Sequence, residues 1–403
     1  MDRSATQQLP LSGVKVLELG SLIAGPYAGS LFAQFGAEVI KIEPPGVGDP
    51  LRKWRKLHEG TSLWWYVQSR NKKSVSLDLK CEEGRGIVCR LVSEIDVLIE
   101  NFRPGTLEKW GLGWEELSAI NPRLVMVRIS GYGQTGPRRH MPGFAAIAEG
   151  MGGLRHVTGY PDRPPVRAGV SIGDTLASLY GVVGALMAIH HVKVNGGMGQ
   201  VVDVALYEAV FAVMESLMPE YSLQGVVRGR TGSSLPGISP SNTYLCRDGG
   251  YVIIAANGDA LFQRLMAAIG RMDLANDPAL AHNDGRVTRN EELDKAIGEW
   301  TLRYDIAEVI RRLELAEVPV GKSFTAADIY EDEHYDARRM LEKHQLPRGG
   351  PLVTIPGIVP KLLNTPGQTR WLGPELGEQT TEVLTSLGIG LEALEALKAK
   401  GII

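Results

Sequence analysis

Short apolar runs alternate with helical stretches from Val14 onward, and this alternation constrains the fold more than any other feature of the chain. Val14-Lys-Val-Leu-Glu-Leu19 alternates as a strand, and Glu38–Ile42 reads as the next one. Between them Pro26 suits the first turn of a helix that Gly36 ends. Two strands joined by a helix over about thirty residues predict a parallel crossover. Ser74–Leu79, Asp96–Glu100 and Leu124–Ser130 add strands, separated by the helical stretches Glu82–Ser93 and Trp114–Ile120. The expected class is α/β, a doubly wound parallel sheet that binds ligands at the carboxyl ends of its strands.

A dinucleotide site is the first ligand to consider, since Gly20, Gly25 and Gly29 follow the first strand and Glu43 ends the second. Their spacing is G-x4-G-x3-G, so the tight phosphate turn of G-x-G-x-x-G is missing. The loops at the strand ends carry a different signal. Lys41–Arg55 and Arg70–Lys80 are both basic, and Asn101–Lys109 adds Arg103 and Lys109. In a parallel sheet those ends lie side by side, where such groups would hold a ligand with several phosphates. Trp54, Trp64, Trp65 and Phe102 are interleaved with them, suited either to stacking on a purine or to core packing.

Asp174 stands alone between a glycine turn and a long apolar helix. From Thr175 to Ile189 there is no charge, and Leu176, Leu179, Val183, Leu186 and Met187 recur at helical spacing. At the start of that helix, backbone N–H groups and the helix dipole favour the ionised carboxylate, as a capping residue or as a nucleophile toward an acyl group. His190 and His191 end the apolar run short of a membrane span and suit a helix C-terminus rather than catalysis.

The remaining features set bounds. The 403 residues allow two domains, and 43 basic against 46 acidic residues give no reason to expect nucleic acid or an anionic membrane as partner. Cys81, Cys89 and Cys246 are too few for a disulfide framework and lack zinc-site spacing; Cys81 and Cys89 read as helix packing residues. The polar start, MDRSATQQLP, has no signal-peptide core, so a cytoplasmic protein is expected. Asn195–Gln200 reads as a turn into a strand, Val201–Val204. Past Gln224, VVRGRTGSSLPGISPSNTY has the composition of a mobile loop over a site, and residues 225–325 read as a smaller domain. Ser323 to Pro360 reads as a charged helical stretch, followed by a helical tail after Pro374.

Several stretches together resemble one family, the class III coenzyme A transferases of the carnitine/formyl type. LSGVKVLELGSLIAGPYAGSLFAQFGAEVIKIEPPGVGDPLR, NKKSVSLDLK, ENFRPGTLEKWGL, NPRLVMVRISGYGQTGP, RAGVSIGDTLASLYGVVGALMAI, GMGQVVDVALYEAV and NTPGQTRWLGPELGEQTTEVL follow in family order. The resemblance implies a large Rossmann-like coenzyme A domain (1–224), a smaller inserted α/β domain (225–325), a segment returning to the large domain (326–403), and an interlocked homodimer. It implies Asp174 as the nucleophile, Arg103 and Lys109 on the coenzyme A phosphates, and further contacts from Leu22, Ile23, Ala24, Leu77, Lys80, Asn101, Phe102 and Phe144. Trp54 matches an aromatic near the thioester. Pro44 and Pro45 replace an arginine of the formyl-type enzyme, so a phosphate contact is expected instead from Arg52, Lys72 or Lys73.

The implied reaction is a transfer of coenzyme A between carboxylic acids through an aspartyl anhydride and an aspartyl-CoA thioester, with coenzyme A thioesters as substrates and no resident cofactor or metal. Backbone N–H groups near Gly173 and in the loop Gly232–Ser233–Ser234 are the candidate oxyanion donors. The related α-methylacyl-CoA racemases carry a histidine and an aspartate where this chain has Phe144 and Ala145, and Phe144 cannot move a proton. Arg155, His156, Arg163 and Arg167 precede Asp174, and Arg228 and Arg230 border the loop. An arginine among them would recognise a second carboxylate, which points to dicarboxylates and to succinyl-CoA as donor.

Overall fold

The computed structural model describes residues 8–403, and the first seven residues of the polar N-terminal stretch lie outside it. Two compact units divide the chain. The first is formed by residues up to Leu154, Ala168–Pro219 and Asp336–Ile403.

Its centre is a six-stranded sheet: β1 (Lys15–Glu18), β2 (Glu38–Glu43), β3 (Lys72–Ser76), β4 (Val97–Glu100), β5 (Val125–Ser130) and β6 (Val201–Ala205). The order is β3-β2-β1-β4-β5-β6, and every pairing is parallel. The order turns back beside β1, which creates a crevice between the ends of β1 and β4. β4 and β5 are buried at every position, as strands covered on both faces must be.

The two faces follow from the twofold alternation of each strand. Val16, Val39 and Val97 pack with α1 (Ala24–Gln34) and with a longer helix beyond it, whereas Leu17, Ile40 and Leu98 pack with α2 (Glu82–Val92). Cys81 caps α2, its sulfur accepting the Gly84 N–H, so it precedes the helix that the sequence places it in. On the first face α3 (Ala145–Met151), α4 (Ile172–Val194) and α5 (Leu206–Phe211) complete the layer.

α4 runs 23 residues, past both histidines, and is long and apolar enough to cross a membrane by length and composition. The sequence reading ends this run too early, because a histidine does not stop a helix. Its small residues Ala177, Gly181, Ala185 and Ala188 are buried under the sheet, while Leu179, Tyr180, Val183, Leu186 and Met187 are exposed within this chain.

The last stretch of the chain contains the main correction. Only Ala326–Glu331 and Glu333–Ala337 are α-helical in the charged region between Ser323 and Pro360. Leu341–Gln345 and Leu352–Pro356 form an antiparallel hairpin around Pro347–Gly349. The β-branched run Val353-Thr-Ile355 and the flanking Pro-Arg-Gly-Gly-Pro turn favour strands over the charge pattern. Residues further on seal the edge strand β3. Gln379 Oε1 accepts the Ser74 N–H at 2.8 Å, and Thr380 Oγ1 accepts the Ser76 N–H at 2.9 Å.

The second unit comprises Arg155–Arg167 and Glu220–Tyr335. A three-stranded antiparallel sheet, with Tyr251–Ala255 between Ser241–Leu245 and Val320–Lys322, packs on helices Asp259–Ala268, Asn290–Thr301 and Ile306–Leu315. Phe262, Leu265, Ile297, Trp300, Val309 and Leu313 give it a hydrophobic core of its own.

Gly199 shows how close the packing is at the start of β6. A Cβ there would lie 2.0 Å from the Leu124 carbonyl oxygen, and its N–H donates to Pro122 O at 2.8 Å. Gly199→Ala is expected to lower stability by about 1–3 kcal/mol, because backbone must move. Gly150→Ala, in α3 with open space around it, should raise stability by up to about 1 kcal/mol. Urea unfolding of the two variants against wild type measures both signs.

Candidate active site

The carboxyl ends of β1, β2, β3 and β4 open onto a cavity of about 520 Å³. Its walls are Gly20 and Ser21 after β1, Pro44–Pro50 after β2, Leu77–Lys80 after β3, and Phe102 with Trp110 after β4. Phe102 and Trp110 stand edge to face, with centroids 5.4 Å apart. Gly401 closes one side, held there by the Asp78 N–H, which donates to Ile402 O at 2.8 Å.

A cluster of buried charges, three of which (Lys41, Glu43 and Asp49) line the cavity, lies at the same strand ends. Lys41 Nζ is 2.8 Å from Glu18 Oε1 and 2.8 Å from Asp49 Oδ2, and it donates to Gly20 O at 2.8 Å. Lys72 Nζ pairs with Glu18 Oε2 at 2.8 Å and donates to Pro26 O at 2.6 Å. Beside them Glu43 receives a two-pronged bond from Arg52, both contacts at 2.7 Å, and a third from Ser74 Oγ at 2.6 Å. The Arg52 guanidinium also stacks 3.6 Å from the Trp65 ring centroid. Burial by itself would push the Glu18 and Asp49 carboxyls up; the lysines outweigh it and hold both below the usual carboxylate range. For Lys41 burial acts downward, and Asp49, Glu18 and Glu43 together raise it above an ordinary lysine.

At β4, Glu100 accepts the Phe102 N–H at 2.7 Å and pairs with Arg128 at 2.7 Å. Burial outweighs Arg128 here and pushes its carboxyl up to about 7.

Asp174 is the third residue of α4 and is partly buried. Gly173 packs so closely that a Cβ there would meet Ala145 Cβ at 3.3 Å and Glu149 Cγ at 3.5 Å. The buried Ser178 hydroxyl lies 2.7 Å from both the Asp174 and the Ala24 carbonyl oxygens. One side chain thus ties the first turn of α4 to the start of α1.

The structure sorts the expected site residues. Leu77, Lys80 and Phe102 line the cavity. Leu22, Ile23 and Ala24 directly follow its Gly20–Ser21 wall. Asn101 acts behind that wall, accepting the Ser21 N–H at 2.8 Å and donating to Ser21 O at 2.9 Å. Arg103 and Lys109 are exposed on the segment that carries Phe102 and Trp110. Trp54 is 41% exposed, its ring 6.4 Å from Trp64, and Phe144 is 70% exposed just before α3.

Lys72 is a correction: it is wholly buried against Glu18 and Pro26 O, and so cannot reach a phosphate in the cavity. Arg52 and Lys73, the other replacements expected for the missing arginine, are paired with Glu43 and with Glu38 and Glu382. Gly232 also departs from expectation. Its N–H donates to Gly159 O at 2.9 Å, which removes it as an oxyanion donor. Ser233 Oγ bonds Asn242, and Ser234 Oγ donates to Thr231 O at 2.9 Å. Asp49, Gln68 and Trp110 were not singled out by sequence reasoning. The aspartate's only signal was an acid inside the loop KIEPPGVGDPLR, whose bases are matched by its own acids.

A doubly wound parallel sheet with a crevice at its carboxyl ends serves many chemistries, and the family model for CoA-transferase family III matches residues 11–380. The chain belongs to this family and is a CoA-transferase. It is 49% identical over 396 residues, 98% of either chain, to succinyl-CoA–D-citramalate CoA-transferase of Chloroflexus aurantiacus. The alpha subunit of succinyl-CoA–L-malate CoA-transferase of Chloroflexus aurantiacus is 42% identical, over 98% of this chain and 93% of that one. Among solved structures, a CaiB/BaiF family protein of Brucella suis matches with a TM-score of 0.83 and 34% identity, over 94% of this chain and all of the other.

The depressed carboxyls define an acid limit. A carboxyl held low in the fold adds stability that is present above its unfolded pKa, near 4, and is lost as pH falls through its folded value. Thermal midpoints should therefore drop steeply below about pH 4. Glu18→Gln should flatten that limb while costing about 3–5 kcal/mol at neutral pH, since it takes from buried Lys72 its carboxylate partner and from Lys41 one of two. Melting curves from pH 7 to pH 3 test both.

Proposed function

We propose that the protein moves coenzyme A from succinyl-CoA to a short dicarboxylic acid of the citramalate or malate kind, with Asp174 as nucleophile. The observation that carries this reading is the 49% identity over 98% of either chain to the D-citramalate enzyme. The arginines Arg155, Arg163 and Arg167 that precede Asp174 agree with an acceptor bearing a second carboxylate.

In this reading the coenzyme occupies the cavity at the strand ends. Its purine lies against Phe102 and Trp110, and Lys80, Arg103 and Lys109 meet its phosphates. An Asp174 oxygen attacks the thioester carbonyl, the C–S bond breaks, and an acyl–aspartyl anhydride and coenzyme A thiolate result. The thiolate then attacks the Asp174 carbonyl, releasing succinate and leaving an aspartyl-CoA thioester. The acceptor carboxylate runs the two steps in reverse. Charge is conserved at each step, a carboxylate being exchanged for a thiolate or the reverse. Exchange of one thioester for another is nearly isoenergetic, so the protein's task is to keep water from the anhydride.

The smaller unit is an insertion into the larger one on this view, and two chains interlock as a homodimer working in the cytoplasm. The apolar residues that α4 leaves exposed within one chain, Leu179, Val183, Leu186 and Met187, support a partner surface.

Assayed with succinyl-CoA, the purified protein should transfer coenzyme A to citramalate, malate or another dicarboxylate, and not to monocarboxylates alone. Asp174→Ala should lower turnover by at least about a thousandfold. Hydroxylamine added during turnover should leave a hydroxamate at Asp174, detectable by mass spectrometry. Exchange of deuterium into the α-position of a 2-methylacyl-CoA without transfer would instead establish a racemase. Light scattering should give twice the chain mass; a monomer that is fully active overturns the dimer.

A further inference from the structure

The backbone between β1 and α1 is strained and held from several sides. Leu22 has φ 64°, in the left-handed region, which costs a leucine roughly 1–2 kcal/mol. Asp49 accepts the Leu22 N–H with both carboxylate oxygens, at 3.0 and 3.1 Å. Gln68 Nε2 donates to Leu22 O at 2.8 Å and to Ile23 O at 3.2 Å. Asn101 grips Ser21 by both its N–H and its carbonyl. Two residues on from Leu22, Ala24 O meets the Ser178 hydroxyl that also reaches Asp174 O. The loop therefore runs from the cavity wall to Ala24, whose carbonyl the Ser178 hydroxyl joins to the helix turn bearing Asp174.

Among the described residues the Asp49 carboxylate meets donors alone: the Leu22 N–H, the Leu51 N–H at 2.8 Å and the Lys41 ammonium at 2.8 Å. It is 2% exposed. An asparagine there would turn an amide NH₂ toward one of these donors, so the charged carboxylate is required for the clamp.

We propose that Asp49 is a positioning residue for coenzyme A transfer: it holds the Leu22 peptide in its left-handed form and so sets the Ile23–Ala24 backbone between the cavity and the Asp174 turn. The inference rests on the coenzyme A reading of the cavity. It predicts that a buried carboxylate in the cavity wall controls thioester affinity and turnover through backbone geometry.

A rescue experiment separates this role from a merely structural one. Glycine enters the left-handed region without strain, so Leu22→Gly removes the need for a clamp. Asp49→Asn is expected to raise the KM for succinyl-CoA on the order of tenfold and to lower kcat, and the same substitution in a Leu22→Gly background should raise KM less than about threefold. An equal rise in both backgrounds, or a lower melting temperature with unchanged KM, overturns the proposal. Should Asp49→Asn not fold, Gln68→Leu releases the other end of the same peptide. Its smaller rise in KM should likewise vanish beside Leu22→Gly, and an equal rise in both backgrounds overturns the proposal as well. Wild-type protein that neither binds nor turns over a coenzyme A thioester would instead remove the functional reading itself.

Discussion

Lys41 is the interaction on which the larger unit turns. It comes from the second strand, yet its ammonium reaches an acid of the first strand, an acid of the loop after the second, and the carbonyl of Gly20. Lys72 extends the set to the third strand through Glu18. A buried ion pair is a weak device for stability, because desolvation offsets most of the attraction. What it does well is fix geometry, since each charge tolerates only the arrangement that leaves none of them uncompensated. The carboxyl ends of β1 and β2 are tied together by charge, with Lys72 joining from the amino end of β3, and the cavity opens over them.

Asp174 depends on the same frame at one remove. Its helix packs on the sheet through small residues, which brings α4 close enough for Ser178 to reach the backbone of α1. Gly173 allows the approach of α3. The place of Asp174 is thus set by absences of side chain as much as by contacts. The acid is supplied by one segment and the cavity wall by another, with a single hydroxyl between them.

Much of this was legible in the sequence. The strand–helix alternation from Val14 gave the parallel sheet, and the uncharged apolar run after Asp174 gave α4, which starts at Ile172 and takes in the glycine expected to precede it. The family motifs pointed to Asp174 and to the loops at the strand ends. Charges were the part that misled. Lys41, Arg52 and Lys72 count as basic in a linear reading, and nothing local says that Glu18, Glu43 and Asp49 neutralise them across the sheet. The hairpin near residues 341–356 was hidden for a similar reason, its charged positions outweighing the β-branched run beside them. A linear pattern records which residues are present; pairing between strands far apart in sequence is decided only when the sheet forms.

That separation has a consequence for how the protein is made. The amides of the edge strand β3 are answered by Gln379 and Thr380, some three hundred residues downstream. During synthesis the sheet would emerge with that edge uncovered, a bare ladder open to pairing with other chains. Productive assembly therefore has to outlast the appearance of the whole second unit, which makes chaperone supply and slow translation natural levers on the yield of this enzyme.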